Sequence, residues 1–194
     1  MKRLAIGLAA LLVAAAPVIA QEVGKTEWNG YPVTLNADGT WFFDCGGYPA
    51  AMSKTVRMAF CFDPSVWTRQ DDQAGAEFFL LSADETTGLL VMPSTTIYSP
   101  SDLHTAVAAA AASNAGVTVE ALGVTDAPSI EVDGKTFAGS RYLQLSEGTE
   151  FSYVDYHTSG DAGTVQLVFW TAPGDEAASA AKADALVKKM IFGD

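Results

Sequence analysis

The chain has 194 residues, 49% of them hydrophobic and 18% charged, with a formal net charge of −12, two cysteines and two histidines. That length supports one domain with a sizeable core. The acidity, with no basic run to offset it, repels phosphate backbones and anionic headgroups, so nucleic-acid binding is disfavoured.

Lys2 and Arg3 precede an apolar run from Leu4 to Ile19, and Val18-Ile19-Ala20 ahead of Gln21 has the small-residue pattern of a cleavage site. The run is short for a membrane span and polar Gln21-Glu22 follows at once. The expectation is a signal peptide over residues 1–20, a single domain over 21–194, a periplasmic or secreted location, and no stable membrane insertion after cleavage. In an oxidising compartment an even cysteine count argues for pairing. Cys45 and Cys61 are expected to form a disulfide closing a loop of about 15 residues, which the chain-entropy model values at roughly 3 kcal/mol.

Gln21 to Asn29 is polar and reads as a loose lead-in. Tyr31 to Leu35 and Thr40 to Phe43 flank Asn36-Ala37-Asp38-Gly39, a hairpin signal, and Pro32 marks the first of these strands as an edge because it cannot donate to a ladder. From Val56 to Phe62 the pattern alternates, with Val56, Met58, Phe60 and Phe62 on one face and Arg57, Ala59 and Cys61 on the other. Trp67, after the turn Asp63-Pro64, is expected to plug the core. Ala76 to Leu81 and Thr87 to Met92 form a strand pair around Ser82 to Glu85. The acidic pairs Asp71-Asp72 and Asp84-Glu85 lack the spacing of a calcium loop and read as solvated turns.

Ser99-Pro100-Ser101-Asp102 is a helix start, with serine as cap, proline at the first position and an acid at the third. An alanine-rich helix over about 100–115 follows, with Leu103, Val107 and Ala110 on its packed face and Asn114 to Gly116 as its stop. Val117, Val119 and Leu122 suggest a strand, and Ile130 and Val132 open a hairpin whose turn is Asp133-Gly134. Three runs then read as an antiparallel meander: Thr136 to Leu145, Phe151 to Tyr156 and Val165 to Trp170. The period of two in the first run is impure, which points to cover on both faces. Pro173 to Glu176 opens a last helix, in which Ala183, Leu186, Val187, Met190 and Ile191 form a stripe at helical spacing.

Catalysis needs convergent reactive groups, and few are available. His104 lies in the first turns of the alanine-rich helix. His157 shares a strand face with Asp155, and Asp161 follows in the next loop; Asp155, His157 and Asp161 are the candidate metal ligands, although such a site wants a further ligand and a fixed second shell. There is no Gly-x-Ser-x-Gly elbow and no phosphate-binding glycine loop.

From about Val56 to Phe192 the order of elements resembles the PsbP-like sandwich, the family of the photosynthetic extrinsic PsbP proteins, the nuclear Mog proteins and the bacterial DcrB-like exported proteins. Pro64-Ser65-Val66-Trp67 stands where that family has a Pro-x-Gly-Trp-like turn, Gly134 to Gly139 resembles the start of its meander, and Ala183 to Phe192 its terminal helix. The resemblance implies an α+β fold, an antiparallel β-sheet sandwiched by helices, to which the hairpin from Tyr31 to Phe43 is an N-terminal addition. It also implies an interaction module that is not an enzyme. The first functional expectation is therefore an exported accessory domain with a protein partner and no cofactor. The alternatives are a small-ligand carrier using Trp41, Phe42, Phe43 and Trp67, and a metal-dependent hydrolase using Asp155, His157 and Asp161.

Overall fold

The computed structural model describes residues 22–28, 31–37, 41–71, 75–146 and 148–192. The expected signal peptide and the Asp38-Gly39 turn lie outside the described residues. The chain opens with a three-stranded sheet, β1 (Glu22–Trp28), β2 (Tyr31–Asn36) and β3 (Trp41–Phe43), in that spatial order. Next come β4 (Ala50–Met52) and β5 (Met58–Cys61), then β6 (Trp67–Arg69), β7 (Phe78–Ser82) and β8 (Thr87–Ser94). Helices α1 (Pro100–Ala115) and α2 (Val119–Leu122) precede β9 (Thr125–Val132), β10 (Lys135–Ser146), β11 (Thr149–Gly160) and β12 (Gly163–Thr171). Helix α3 (Glu176–Val187) and β13 (Met190–Phe192) close the chain.

The expected meander is the centre of a seven-stranded sheet of order β6-β7-β8-β12-β11-β10-β9, antiparallel at every pairing. A second three-stranded sheet, β13-β5-β4, packs against one of its faces. The main core lies between them: Phe60, Leu80, Leu89, Val91, Phe137 and Leu167 are fully buried, with Trp67 beside them as expected. Helix α1 covers the opposite face over β10 and β11. This double cover explains the impure period of β10. Phe137 faces the core, whereas Ser140 and Tyr142, at positions of the other parity, are buried under α1. The architecture is α+β, with the sheet held between α1 on one side and α3 with β4-β5-β13 on the other.

Local chemistry sets the boundaries. The Asp102 backbone N–H donates to Ser99 Oγ, the Ser99 hydroxyl donates to the Asp102 carboxylate, and left-handed Gly116 (φ 69°) ends α1. The β9–β10 turn has positive φ at both Asp133 and Gly134, as a two-residue hairpin requires. The disulfide joins Cys45 to Cys61 across a Cα separation of 5.6 Å and ties the first sheet to β5. A smaller core of Val33, Phe43, Ala59 and Ile191 fills the space between those two sheets.

Five expectations need correction. Residues 22–28 are not a loose lead-in but β1, paired along β2, so the hairpin addition is a three-stranded sheet. Pro32 lies in the middle strand of that sheet. The β2–β3 ladder covers only Val33 to Leu35, so proline stands beyond its end and supplies a carbonyl that accepts the Asp44 N–H. Val119–Leu122 is a helical turn instead of a strand, because Thr118 Oγ1 accepts the Ala121 N–H and left-handed Gly123 closes it. Ala110 is exposed, since the buried stripe of α1 follows Leu103, Val107 and Ala111 at four-residue steps, together with Ala108 and Ala112. Met190–Phe192 is strand β13, not helix. All three residues are buried, two in the main core and Ile191 in the smaller one, and a short apolar run covered on both faces satisfies either period.

Candidate functional site

Two places merit attention, one on each face of the large sheet. Beneath α1 the register sets Asp155 opposite Ser140 and Val168, His157 opposite Ala138 and Gln166, and Tyr153 opposite Tyr142 and Trp170. Cross-strand partners share a face, so these side chains all point towards α1. Asp155 is 1% exposed and His157 2%. The Gln166 amide donates to Asp155 Oδ2, while Asp155 Oδ1 lies 3.5 Å from His157 Nδ1. Asp155 Oδ1 and both ring nitrogens of His157 are buried and make no hydrogen bond among the described residues. His104, from the second turn of α1, sets its ring 5.8 Å from that of His157. Burial pushes the Tyr142 hydroxyl well above the usual phenol range, and the Asp155 and Tyr153 charges push in the same direction. Tyr142 stacks on Tyr153, whose hydroxyl is also raised by burial.

The structure thus joins Asp155 and His157 as the sequence suggests, and adds His104, Ser140 and Gln166. It does not bring in Asp161, which sits exposed in the β11–β12 turn. No group of three His, Cys, Asp or Glu placed to hold a metal ion occurs among the described residues. Ser140 Oγ lies 3.4 Å from His104 Nδ1, and His104 Nε2 lies 3.8 Å from Asp126 Oδ1. The residue types are those of a serine-hydrolase triad with the two ring nitrogens exchanged, since there the serine meets Nε2 and the aspartate Nδ1. Ser140 is fully buried, however, and Asp126 stands in solvent, so the hydroxyl is closed to a substrate and the carboxylate does not fix the ring.

On the other face, a cavity of about 280 Å³ opens between α3 and the sheet. Its floor is Val154, Tyr156 and Phe169, with Ile130 at one side. Its wall is Ala180, Ala183 and Val187, and the short alanine side chains leave the space that longer ones would fill. Thr87 Oγ1 and Ser179 Oγ meet at 2.5 Å at its buried end. Burial raises the Tyr156 hydroxyl above its usual range. Glu131, Glu176, Asp184 and Lys188 line the cavity as well, and Lys188 is paired with Asp184 at 2.7 Å. Beyond the cavity the same sheet face continues through Ser152 to Leu143 and Leu145, which are 53% and 69% exposed.

Of the carrier candidates, Phe42, Phe43 and Trp67 do not line this cavity. Trp67 is in the main core, Phe43 is in the smaller one and Phe42 is on the surface. The side chain of Trp41 lies outside the described residues. Nothing in the sequence marked the groove: the stripe that begins Ala183, Leu186 and Val187 reads as core packing, yet Ala183 and Val187 border the cavity.

No family model matches the chain, and no curated protein matches it. Among solved structures it is similar to cyanobacterial PsbP (CyanoP) from Synechocystis sp. PCC 6803, at 14% identity and a TM-score of 0.54, over 77% of this chain and 97% of that one. It is also similar to LpqN, described as involved in cell envelope biogenesis of Mycobacterium tuberculosis, at 9% identity and a TM-score of 0.49, over 76% and 86% of the two chains. A protein from Bacteroides thetaiotaomicron is similar at 13% identity and a TM-score of 0.48 over 71% of this chain, which spans only 45% of that protein's length. The fold of this chain is PsbP-like.

Proposed function

We propose that the protein is an exported accessory domain that holds a protein partner and carries out no chemistry of its own. The observation that carries this reading is the open cavity with an apolar floor on the α3 side of the sheet, whose face continues past Arg141 and Ser152 to exposed leucines. The floor is Val154, Tyr156 and Phe169, and the leucines are Leu143 and Leu145. A concave apolar cavity with exposed leucines further along its face suits an inserted anchor side chain with contacts around it. Export is supported by the Cys45–Cys61 disulfide, which persists in oxidising compartments, and by the apolar leader. The absence of catalysis is supported by the closure of Ser140, Asp155 and His157 beneath α1. Capture from the envelope fraction of the source cell tests the reading, with the wild-type chain and Ala180→Trp as paired baits. Ala180 is exposed and borders the cavity, so tryptophan fills the groove without entering the core. The reading expects a protein retained by the wild type and lost by the variant; identical captures by both would contradict it.

A further inference from the structure

Helix α1 packs on β10 and β11, and no described helix or strand lies over the rest of that sheet face. There the register pairs Leu90 with Phe79 and Val168, and Gly88 with Leu81 and Trp170. Val168 in turn pairs with Asp155, so these residues share the face that carries α1. Phe79, Leu81, Leu90, Met92 and Trp170 are each half-buried, whereas Phe78, Leu80, Leu89 and Val91 on the reverse of the same strands lie in the main core. The Trp170 indole fills the space that a Cβ at Gly88 would take, so it lies low across β8. No charged side chain stands in this strip. Glu77, the next residue of that parity before β7, is turned to Ser53 and Lys54, from whose hydroxyl and N–H its carboxylate accepts. Beside the strip, α1 has an outer face of the same kind. After Asp102 the helix holds no Asp, Glu, Lys or Arg, and Ala106, Ala109, Ala110 and Ser113 are exposed. Helix α3, also rich in alanine, carries Glu176, Lys182 and Asp184. An apolar strip and an uncharged helix face, side by side on a chain of charge −12, mark a contact surface.

We infer that this face joins two copies of the chain, the α1 of each lying on the open strip of the other. A two-fold axis along the strands brings this about, because it sets the covered half of one sheet opposite the open half of its mate. The two helices then share one layer between two sheets, and a single occupant covers both uncharged surfaces at once. The dimensions agree. The 16 residues of α1 make a rod about 24 Å long and about 10 Å wide. The 8 residues of β8 run about 26 Å, and β6, β7 and β8 together span about 14 Å. Two such contacts, each covering roughly 240 Å² of helix and as much of sheet, bury about 1,000 Å² in all. That is the lower bound for a specific interface, so the dimer is reversible. The contact is uncharged while the chains as a whole repel, so salt tightens the dimer by screening that repulsion. The α3 groove lies on the reverse of the sheet and stays open.

Sedimentation velocity of the purified protein over a concentration series, at low and at physiological salt, tests this. The wild type passes reversibly from monomer to dimer, and does so at lower concentration in the higher salt. Ala109→Arg on α1 and Leu90→Glu in the strip each raise the dissociation constant roughly tenfold or more. Ala109 is exposed, so its replacement leaves the thermal transition in place; Met92→Glu takes the place of Leu90→Glu if the latter melts lower. Bulk of any kind at position 109, an aromatic photo-reactive side chain included, holds the copies apart. An equimolar mixture of Ala109→Arg and Leu90→Glu dimerises again, because one contact sets the introduced cation against the introduced carboxylate and the other is unaltered. A wild type that stays monomeric throughout overturns the inference, as does a dimer that survives Ala109→Arg or a mixture that re-forms none. A dimer broken by Ala180→Trp lies in the α3 groove and overturns it too. So does binding to phosphatidylcholine vesicles that Leu90→Glu ends, which gives the strip to lipid.

Discussion

His104 on α1 and His157 on β11, the two histidines of the chain, come within 5.8 Å ring to ring although 53 positions separate them in sequence. Beneath them Asp155 faces His157 at 3.5 Å with both side chains buried. Breaking a buried acid–base pair by deleting one partner leaves the other stranded, whereas deleting both removes the penalty along with the interaction. His157→Leu should therefore cost about 3–5 kcal/mol, and the double variant Asp155→Leu/His157→Leu should cost less than that single change. Urea unfolding of the three proteins checks this; a double variant that is the least stable of the set would refute the pairing.

The disulfide joins Cys45, just past β3, to Cys61 at the end of β5. Its removal releases the first sheet, whose hold on the rest is the small core of Val33, Phe43, Ala59 and Ile191. Cys45→Ala/Cys61→Ala is expected to lose about 3 kcal/mol. Hydrogen exchange should then speed up at Val33 to Leu35 before it does at Leu89 to Val91. Uniform acceleration across both sheets would show that the bond steadies the fold as a whole instead.

Acid stability should report on Asp84. The Lys182 ammonium, 2.5 Å away, and the Ser82 hydroxyl hold its carboxyl well below the ordinary value of 3.8. As pH falls the unfolded chain takes up this proton first, so the contribution is complete above the unfolded pKa and fades as pH drops towards the folded one. Asp84→Asn should flatten the fall in the urea midpoint below about pH 4. The side chain is exposed, so the difference should shrink in high salt. An unchanged acid limb would show that the pair is too well solvated to matter.

At the alkaline end Tyr142 is the group to watch. Burial and the neighbouring Asp155 raise its folded-state pKa above the ordinary 10.0. The unfolded chain loses its phenolic proton first, so stability is intact below about pH 10 and declines as pH rises towards the folded value. Tyr142→Phe keeps the stack on Tyr153 and removes the proton. Its unfolding midpoint should fall less steeply than that of the wild type, because only Tyr153 and Tyr156, also raised by burial, then contribute. Parallel decline of the two would exclude Tyr142 as a cause.

The meander and α1 with its serine cap were legible because each rests on a local signal, turn glycines, alternation over a few residues or a capping box, while the disulfide was legible from the count of two cysteines behind an apolar leader. The fate of residues 22–28 was not, since their polarity conceals strand pairing that depends on β2 being beside them. Met190–Phe192 misled because burial on two faces erases the period that separates helix from strand. At the candidate sites, Asp155 and His157 announced a shared face by their spacing of two. Ser140, Gln166 and His104 joined them only through register and helix docking, which no local pattern encodes.

The central claim, that a partner polypeptide lies in the groove beneath α3, is tested most directly by a photo-activated cross-linker placed at Ala180 and, as a control, at exposed Ala109 on α1. Illumination in intact cells should give a discrete protein adduct from position 180 and none from 109. No adduct from position 180, or the same adduct from both positions, would contradict the account.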